Sequence, residues 1–147
     1  MERTGGCLCG AVRFRAVIEN RDYGVCHCKM CQRWTGLALA GIMVQPDKIE
    51  IEGQDHVGTY RSSDIAVRCF CTRCGSPMWL CDLNEDGSPK AYELPLGVID
   101  DPSGLTLHHE IFVDRRIDSI ALAGDHIQDT EAEYFEKLGF VPQPTEG

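Results

Sequence analysis

Cys26-His27-Cys28-Lys29-Met30-Cys31 and Cys69-Phe70-Cys71-Thr72-Arg73-Cys74 repeat one pattern, C-x-C-x-x-C, at two distant places in the chain. Each run follows a stretch that reads as a strand and leads into a turn. Strand residues two apart point to the same face, so C-x-C sends two thiolates to one side. A C-x-x-C closed by glycine, as in Cys71-Thr72-Arg73-Cys74-Gly75, is a knuckle whose tight turn offers both sulfurs to one ion. Cys7 and Cys9 supply a further C-x-C. Zinc takes four tetrahedral ligands and accepts all-thiolate sets, so pairs brought from far apart in sequence would organise the fold around metal. Iron–sulfur clusters also take four thiolates, but more often from one contiguous run.

Eight of the nine cysteines fall into these three groups. Two partitions follow. With Cys69 as a ligand, eight thiolates close two four-cysteine structural sites. With Cys69 as a bystander, seven thiolates make one closed four-ligand site and one three-ligand site. A vacant coordination position is where zinc does chemistry, so the functional question turns on Cys69. Cys81 stands outside every group and reads as a small core hydrophobe.

The surrounding composition fits metal better than disulfides. A chain of 147 residues, 43% of them hydrophobic, is long enough for one domain, 1–147, with its own core. The start, Met1 to Cys7, has no apolar run of signal-peptide character, and no stretch approaches membrane-spanning length. A reducing cytoplasmic location is therefore expected, where cysteines serve as thiols or ligands, and an odd count fits poorly with complete pairing. The net charge of −9, from 14 basic and 23 acidic residues, would repel nucleic acid. Arg13 with Arg15 and Arg115 with Arg116 are too sparse to overturn that and read as solvated surface.

Strand signals dominate the rest. Val12 to Ala16 alternates apolar and charged residues, and similar runs lie at 37–44, 48–52, 57–60, 65–70, 78–81, 92–99 and 110–113. Turn formers separate them, including Gln45-Pro46-Asp47 and Asn84-Glu85-Asp86-Gly87. The expectation is an all-β fold of short antiparallel sheets, sandwich or open barrel. One helix is predicted, over about 131–138: Thr130 and Glu133 make a capping box and Gly139 can take the left-handed stop. The tail beyond Phe140 is expected to fray.

Gly5-Gly6-Cys7-Leu8-Cys9-Gly10-Ala11-Val12-Arg13-Phe14, the run from Cys26 to Arg33, and Phe70-Cys71-Thr72-Arg73-Cys74-Gly75 come in a characteristic order. In these the sequence resembles the glutathione-dependent formaldehyde-activating enzyme family, which includes relatives of centromere protein V. The resemblance covers about residues 5–113. It implies a β-tent fold around two zinc ions and a carbon–sulfur lyase activity resembling S-(hydroxymethyl)glutathione synthase, with a small-molecule thiol and an aldehyde as partners. It assigns Cys7, Cys9, Cys71 and Cys74 to a structural zinc and Cys26, Cys28 and Cys31 to a catalytic one. At Cys69 the family pattern has a non-ligand. The run His108-His109-Glu110-Ile111-Phe112-Val113 resembles the family's late strand, but Glu110 interrupts its order and no role carries over.

Three thiolates leave zinc with a formal charge of −1, a softened Lewis acid better suited to holding a substrate thiol as thiolate than to making hydroxide. That thiolate would attack an aldehyde carbon, with a nearby proton donor neutralising the oxygen. Between two strand cysteines the ring of His27 should face away from the metal, as a residue behind the site or a satisfied sheet histidine. Lys29 and Arg33 are either exposed bases or charges for an acidic thiol; Trp34 and Trp79 either line a pocket or pack. His56, His108, His109 and His126 have no metal spacing. The rival class is a non-catalytic zinc module serving a protein partner.

Overall fold

The computed structural model describes residues 1–145. The chain runs β1 (Glu2–Gly6), β2 (Arg13–Val17), β3 (Asp22–Cys26), α1 (Lys29–Thr35), β4 (Leu39–Val44), β5 (Ile49–Glu52), β6 (Val57–Arg61), β7 (Ala66–Cys71), β8 (Pro77–Leu83), β9 (Pro89–Pro95), β10 (Thr106–Ile111), β11 (Ile127–Asp129) and α2 (Glu131–Leu138). The strands form a three-stranded sheet, β1-β2-β5, and an eight-stranded sheet, β11-β10-β3-β4-β9-β8-β7-β6. The fold is mostly β with a short C-terminal helix, as the alternating runs predict, and neither sheet closes into a barrel.

Strand alternation decides what the large sheet does with its two faces. Ile42 and Val44 of β4, Leu94 of β9, Trp79 and Cys81 of β8 and Cys69 of β7 point to one side. There they join Val12, Phe14, Ala16 and Ile18 from the small sheet in a continuous core. Each fully buried aliphatic or aromatic side chain contributes roughly 1.5–3 kcal/mol, so this sheet-on-sheet layer is the main stabilising element. Trp79 meets Tyr92 edge-on, with ring centroids 6.1 Å apart. The opposite face carries the row Arg68, Leu80, Glu93, Met43, cross-strand partners on β7, β8, β9 and β4. That face lines a cavity.

Several features depart from the sequence expectation. Residues 29–35 form a helix. Cys28 is its N-cap, the sulfur accepting from the Cys31 amide at 3.4 Å, and Gly36 at φ 95° stops it. Seven residues, only one of them with an aliphatic or sulfur-bearing side chain besides Cys31, carry too little periodicity to announce a helix. The large sheet is mixed, since β10 runs parallel to both β3 and β11. Alternation looks alike in parallel and antiparallel strands, so the sequence alone does not distinguish them. β3 lies where the cysteine run at 26–31 implies a preceding strand, whereas β1 and β11 carry no such signal; β1 is polar and glycine-rich, and β11 has three residues.

The capping box at Thr130 and Glu133 forms, and Gly139 closes α2 at φ 86°. The tail does not fray over its described part. Pro144 bridges to Ser63, and Gln143 exchanges hydrogen bonds with Asp64, its carbonyl accepting at 2.9 Å and its amide donating to the carboxylate at 3.0 Å. Glu146 and Gly147 lie outside the described residues. No helix among the described residues is long and apolar enough to cross a membrane.

Candidate metal centres

Cys7 and Cys9 lie in the turn after β1, while Cys71 ends β7 and Cys74 follows in its knuckle. Their four sulfurs lie within 4.8 Å of one another. Cys7 to Cys9 is 3.6 Å and Cys9 to Cys71 is 3.8 Å. A tetrahedron of zinc–sulfur bonds about 2.3 Å long has an edge of about 3.8 Å, so the donors fit such an ion without rearrangement. Backbone amides point at the sulfurs, Val12 at Cys7 (3.3 Å) and Arg73 at Cys71 (3.4 Å). The Ser76 hydroxyl, 3.1 Å from Cys74, draws that thiol down to about 5. Gly75 at φ 80° makes the knuckle possible. One cysteine pair follows each sheet, so this centre ties the two sheets together.

Cys26 ends β3, Cys28 caps α1 and Cys31 lies one turn into it. The cap turn, rather than strand alternation, folds these three sulfurs to within 4.8 Å of one another. Hydrogen bonds from Cys26 and then Cys31 pull the Cys28 thiol down to about 2, while Cys28 pushes Cys26 well above its ordinary range. Without a cation one thiolate is thus shared among three sulfurs. A dication is what lets all three ionise. This three-sulfur set offers a metal fewer protein donors than the first.

Cys69 belongs to neither set. It follows Arg68, which faces the cavity, so alternation turns its sulfur into the core beside Trp79 and Cys81. Burial first, then Cys81, pushes the Cys69 thiol up to about 11, and Cys81 is raised by burial as well. A bulge after Cys69 shifts the register before Cys71.

The trio sits on the wall of a cavity of about 780 Å³. Arg68 reaches the trio's side of this cavity from β7. Both terminal nitrogens of its guanidinium lie 3.8 Å from the Cys31 sulfur, and the group stacks on Trp34, 5.0 Å from the ring centroid. Nothing in the sequence marked Arg68; its position depends on sheet register. Glu93, next but one along the same row, turns into the cavity because Gly41 leaves room. A Cβ at Gly41 would lie 2.5 Å from Glu93 Cγ. Burial, then the Asp82 charge, raises the Glu93 carboxyl to about 7 against the pull of Arg68.

Behind the trio, Glu110 is fully buried and accepts hydrogen bonds from two histidines, His27 Nε2 at 2.6 Å and His126 Nε2. The ring of His27, one residue past the end of β3, is directed to Glu110 on the neighbouring strand β10. Gln32 donates to the carbonyls of His27 (2.7 Å) and Arg115 (2.8 Å), pinning the loop from the other side. Phe112, in the left-handed region at φ 59°, ends β10 and packs against Tyr134 and Phe135 of α2. Lys29 borders the cavity, with Nζ 2.8 Å from Gln32. Arg33 is exposed, and Trp79 is core. His108 and His109 contact each other outside both sulfur sets, and His56 is exposed.

A family model described as glutathione-dependent formaldehyde-activating enzyme matches residues 2–115. An uncharacterised lyase of Schizosaccharomyces pombe is 32% identical over 83 residues, 56% of this chain and 60% of that protein. A Halomonas elongata protein named "Putative glutathione-dependent formaldehyde-activating enzyme" is 32% identical over 89 residues, 53% of this chain and 55% of that protein. The matched region thus spans less than two thirds of either relative's length.

Proposed function

The chain belongs to the glutathione-dependent formaldehyde-activating enzyme family, and on that premise we propose that it is a zinc-dependent carbon–sulfur lyase, reversibly adding a thiol such as glutathione to a small aldehyde such as formaldehyde. One observation carries the reading: the sulfurs of Cys26, Cys28 and Cys31 converge within 4.8 Å on the wall of a large cavity, beside a buried cation and a carboxyl poised near neutrality. In this reading Cys7, Cys9, Cys71 and Cys74 hold a structural zinc, and Cys26, Cys28 and Cys31 hold a second one.

Zinc at the trio would lower the pKa of a substrate thiol and keep it as thiolate. The other parts belong to the chain. In the addition, the sulfur–carbon bond forms as the carbonyl π bond opens, and the proton lost by the thiol is finally carried by the new hydroxyl. Glu93 is the cavity group suited to passing that proton, because a carboxyl near 7 is populated in both forms at neutral pH. Arg68 sets positive charge against Cys31, offsetting the excess negative charge of three thiolates. Gln32 and the Glu110–His27 contact hold the backbone of the trio in place.

Cobalt substitution tests the assignment. Two metals per chain are expected, with only the trio's absorption bands shifting when a small thiol is added. Two thiol-insensitive centres would instead favour a non-catalytic zinc module that serves a protein partner.

A further inference from the structure

The cavity beside the trio is far larger than formaldehyde itself and poor in free cations. Its floor is the sheet row described above. Its roof is α2 and the tail, through Tyr134, Phe135, Val141 and Pro142. All four lie beyond residue 115, where the family match ends. Three of the large hydrophobic side chains this protein leaves exposed border the same space: Met30 at 40%, Met43 at 46% and Val141 at 55%. Isolated exposed apolar residues need no explanation, but a group of them rimming one concavity marks a binding surface. A volume of about 780 Å³ falls among pockets that enclose whole organic ligands.

The charges point the same way. Asp22, Asp82, Glu93 and Glu131 face three permanent cations, Lys29, Arg68 and Arg115, and His109, which burial holds toward its neutral form. Arg115 is engaged with Glu131 through two hydrogen bonds, of 3.0 and 2.6 Å. Arg68 lies against Cys31 and Trp34. Among the permanent cations of the described lining residues, only Lys29 remains without a charged or sulfur partner. Burial already pushes Asp82 and Glu93 toward their neutral forms, so an added anion would be disfavoured by the same low dielectric.

We infer that the substrate pair of this site carries an apolar, non-anionic body, aromatic or branched aliphatic, seated between the sheet row and the roof made by α2 and the tail. The inference rests on the lyase reading for the chemistry, but not for the binding. The apolar body can belong to the thiol or to the aldehyde, and two arms of one experiment separate them.

The full, zinc-loaded chain is titrated calorimetrically with phenylmethanethiol, with phenylacetaldehyde, with glutathione and with formaldehyde. Adduct formation is then followed for phenylmethanethiol with formaldehyde and for glutathione with phenylacetaldehyde. At least one apolar probe is expected to bind ten times or more tighter than glutathione, and its arm identifies the half that carries the body. Val141→Asp and Met43→Glu, both at exposed positions and checked for unchanged melting temperature, are expected to weaken that probe at least fivefold. Glutathione binding as tightly as both apolar probes, or indifference of the apolar probe to both substitutions, overturns the inference. Tight apolar binding with no adduct in either arm leaves the inference standing and sinks the lyase reading instead.

Discussion

Glu110 accepts a 2.6 Å hydrogen bond from His27, and neither side chain reaches solvent. The two residues lie on parallel neighbouring strands or their immediate continuation, with Val25 opposite Glu110 and Cys26 opposite Ile111. His27 lies between two cysteines of the trio, so the contact ties the trio's loop to β10. Burial alone would raise the Glu110 carboxyl, but the hydrogen bonds from His126 and His27 outweigh it and bring it below its ordinary value.

Replacing Glu110 by Ala leaves two imidazoles buried without their acceptor. Breaking a buried pair in this way costs roughly 3 kcal/mol, seen as a lower urea midpoint. Loosening of the loop gives a second signature: metal at Cys26, Cys28 and Cys31 is released to a chelator sooner than metal at the other centre. Equal acceleration at both centres would reduce Glu110 to a packing role.

Cys69→Ala is expected to leave the metal content at two per chain, since the sulfur faces the core on the side of the sheet away from Arg68. The cost is about 1 kcal/mol of stability from the small void. Cys71→Ala is expected to lose one metal and to destabilise far more, because that centre holds the two sheets together. Loss of metal from the Cys69 variant, measured by atomic emission, would return this residue to the ligands.

Much of this arrangement was written in local patterns. The strands from 37 to 83 announce themselves by alternation, and α2 by its capping box. The grouping of seven cysteines into four and three follows from the spacing together with the family resemblance, and the structure brings the same groups together. The residues that equip the second centre were not legible. Arg68 and Glu93 share a face only through the pairing of β7, β8 and β9, and a charged residue in an alternating strand reads as solvated. Glu110 reads the same way until β10 is placed beside β3. The roof of the cavity depends on where the C-terminal segment returns, which no local pattern encodes.

Arg68→Met removes the one cation that touches a trio sulfur among the described residues. Partners of metal ligands typically tune affinity by an order of magnitude, so roughly tenfold weaker metal retention is expected at the second centre and none at the first. Arg68→Lys is expected to recover only part of this, because a point charge cannot present two nitrogens to one sulfur and stack on Trp34. Chelator competition followed by cobalt absorption distinguishes the centres.

The last prediction concerns Glu93, whose folded value of about 7 lies above its ordinary 4.5. A carboxyl raised by folding contributes stability that is fully present below about 4.5 and lost as pH rises through about 7. Glu93→Gln keeps the shape and never ionises. Relative to wild type, the variant should therefore gain in melting temperature as pH rises from about 4.5, the difference growing fastest midway between about 4.5 and about 7 and levelling off above about 7. The same substitution should slow thiol–aldehyde addition and remove the inflection near pH 7 from its rate profile, while zinc content stays at two per chain. A melting difference that is flat across that range would mean Glu93 ionises as an ordinary surface carboxylate does, and another group would have to pass the proton.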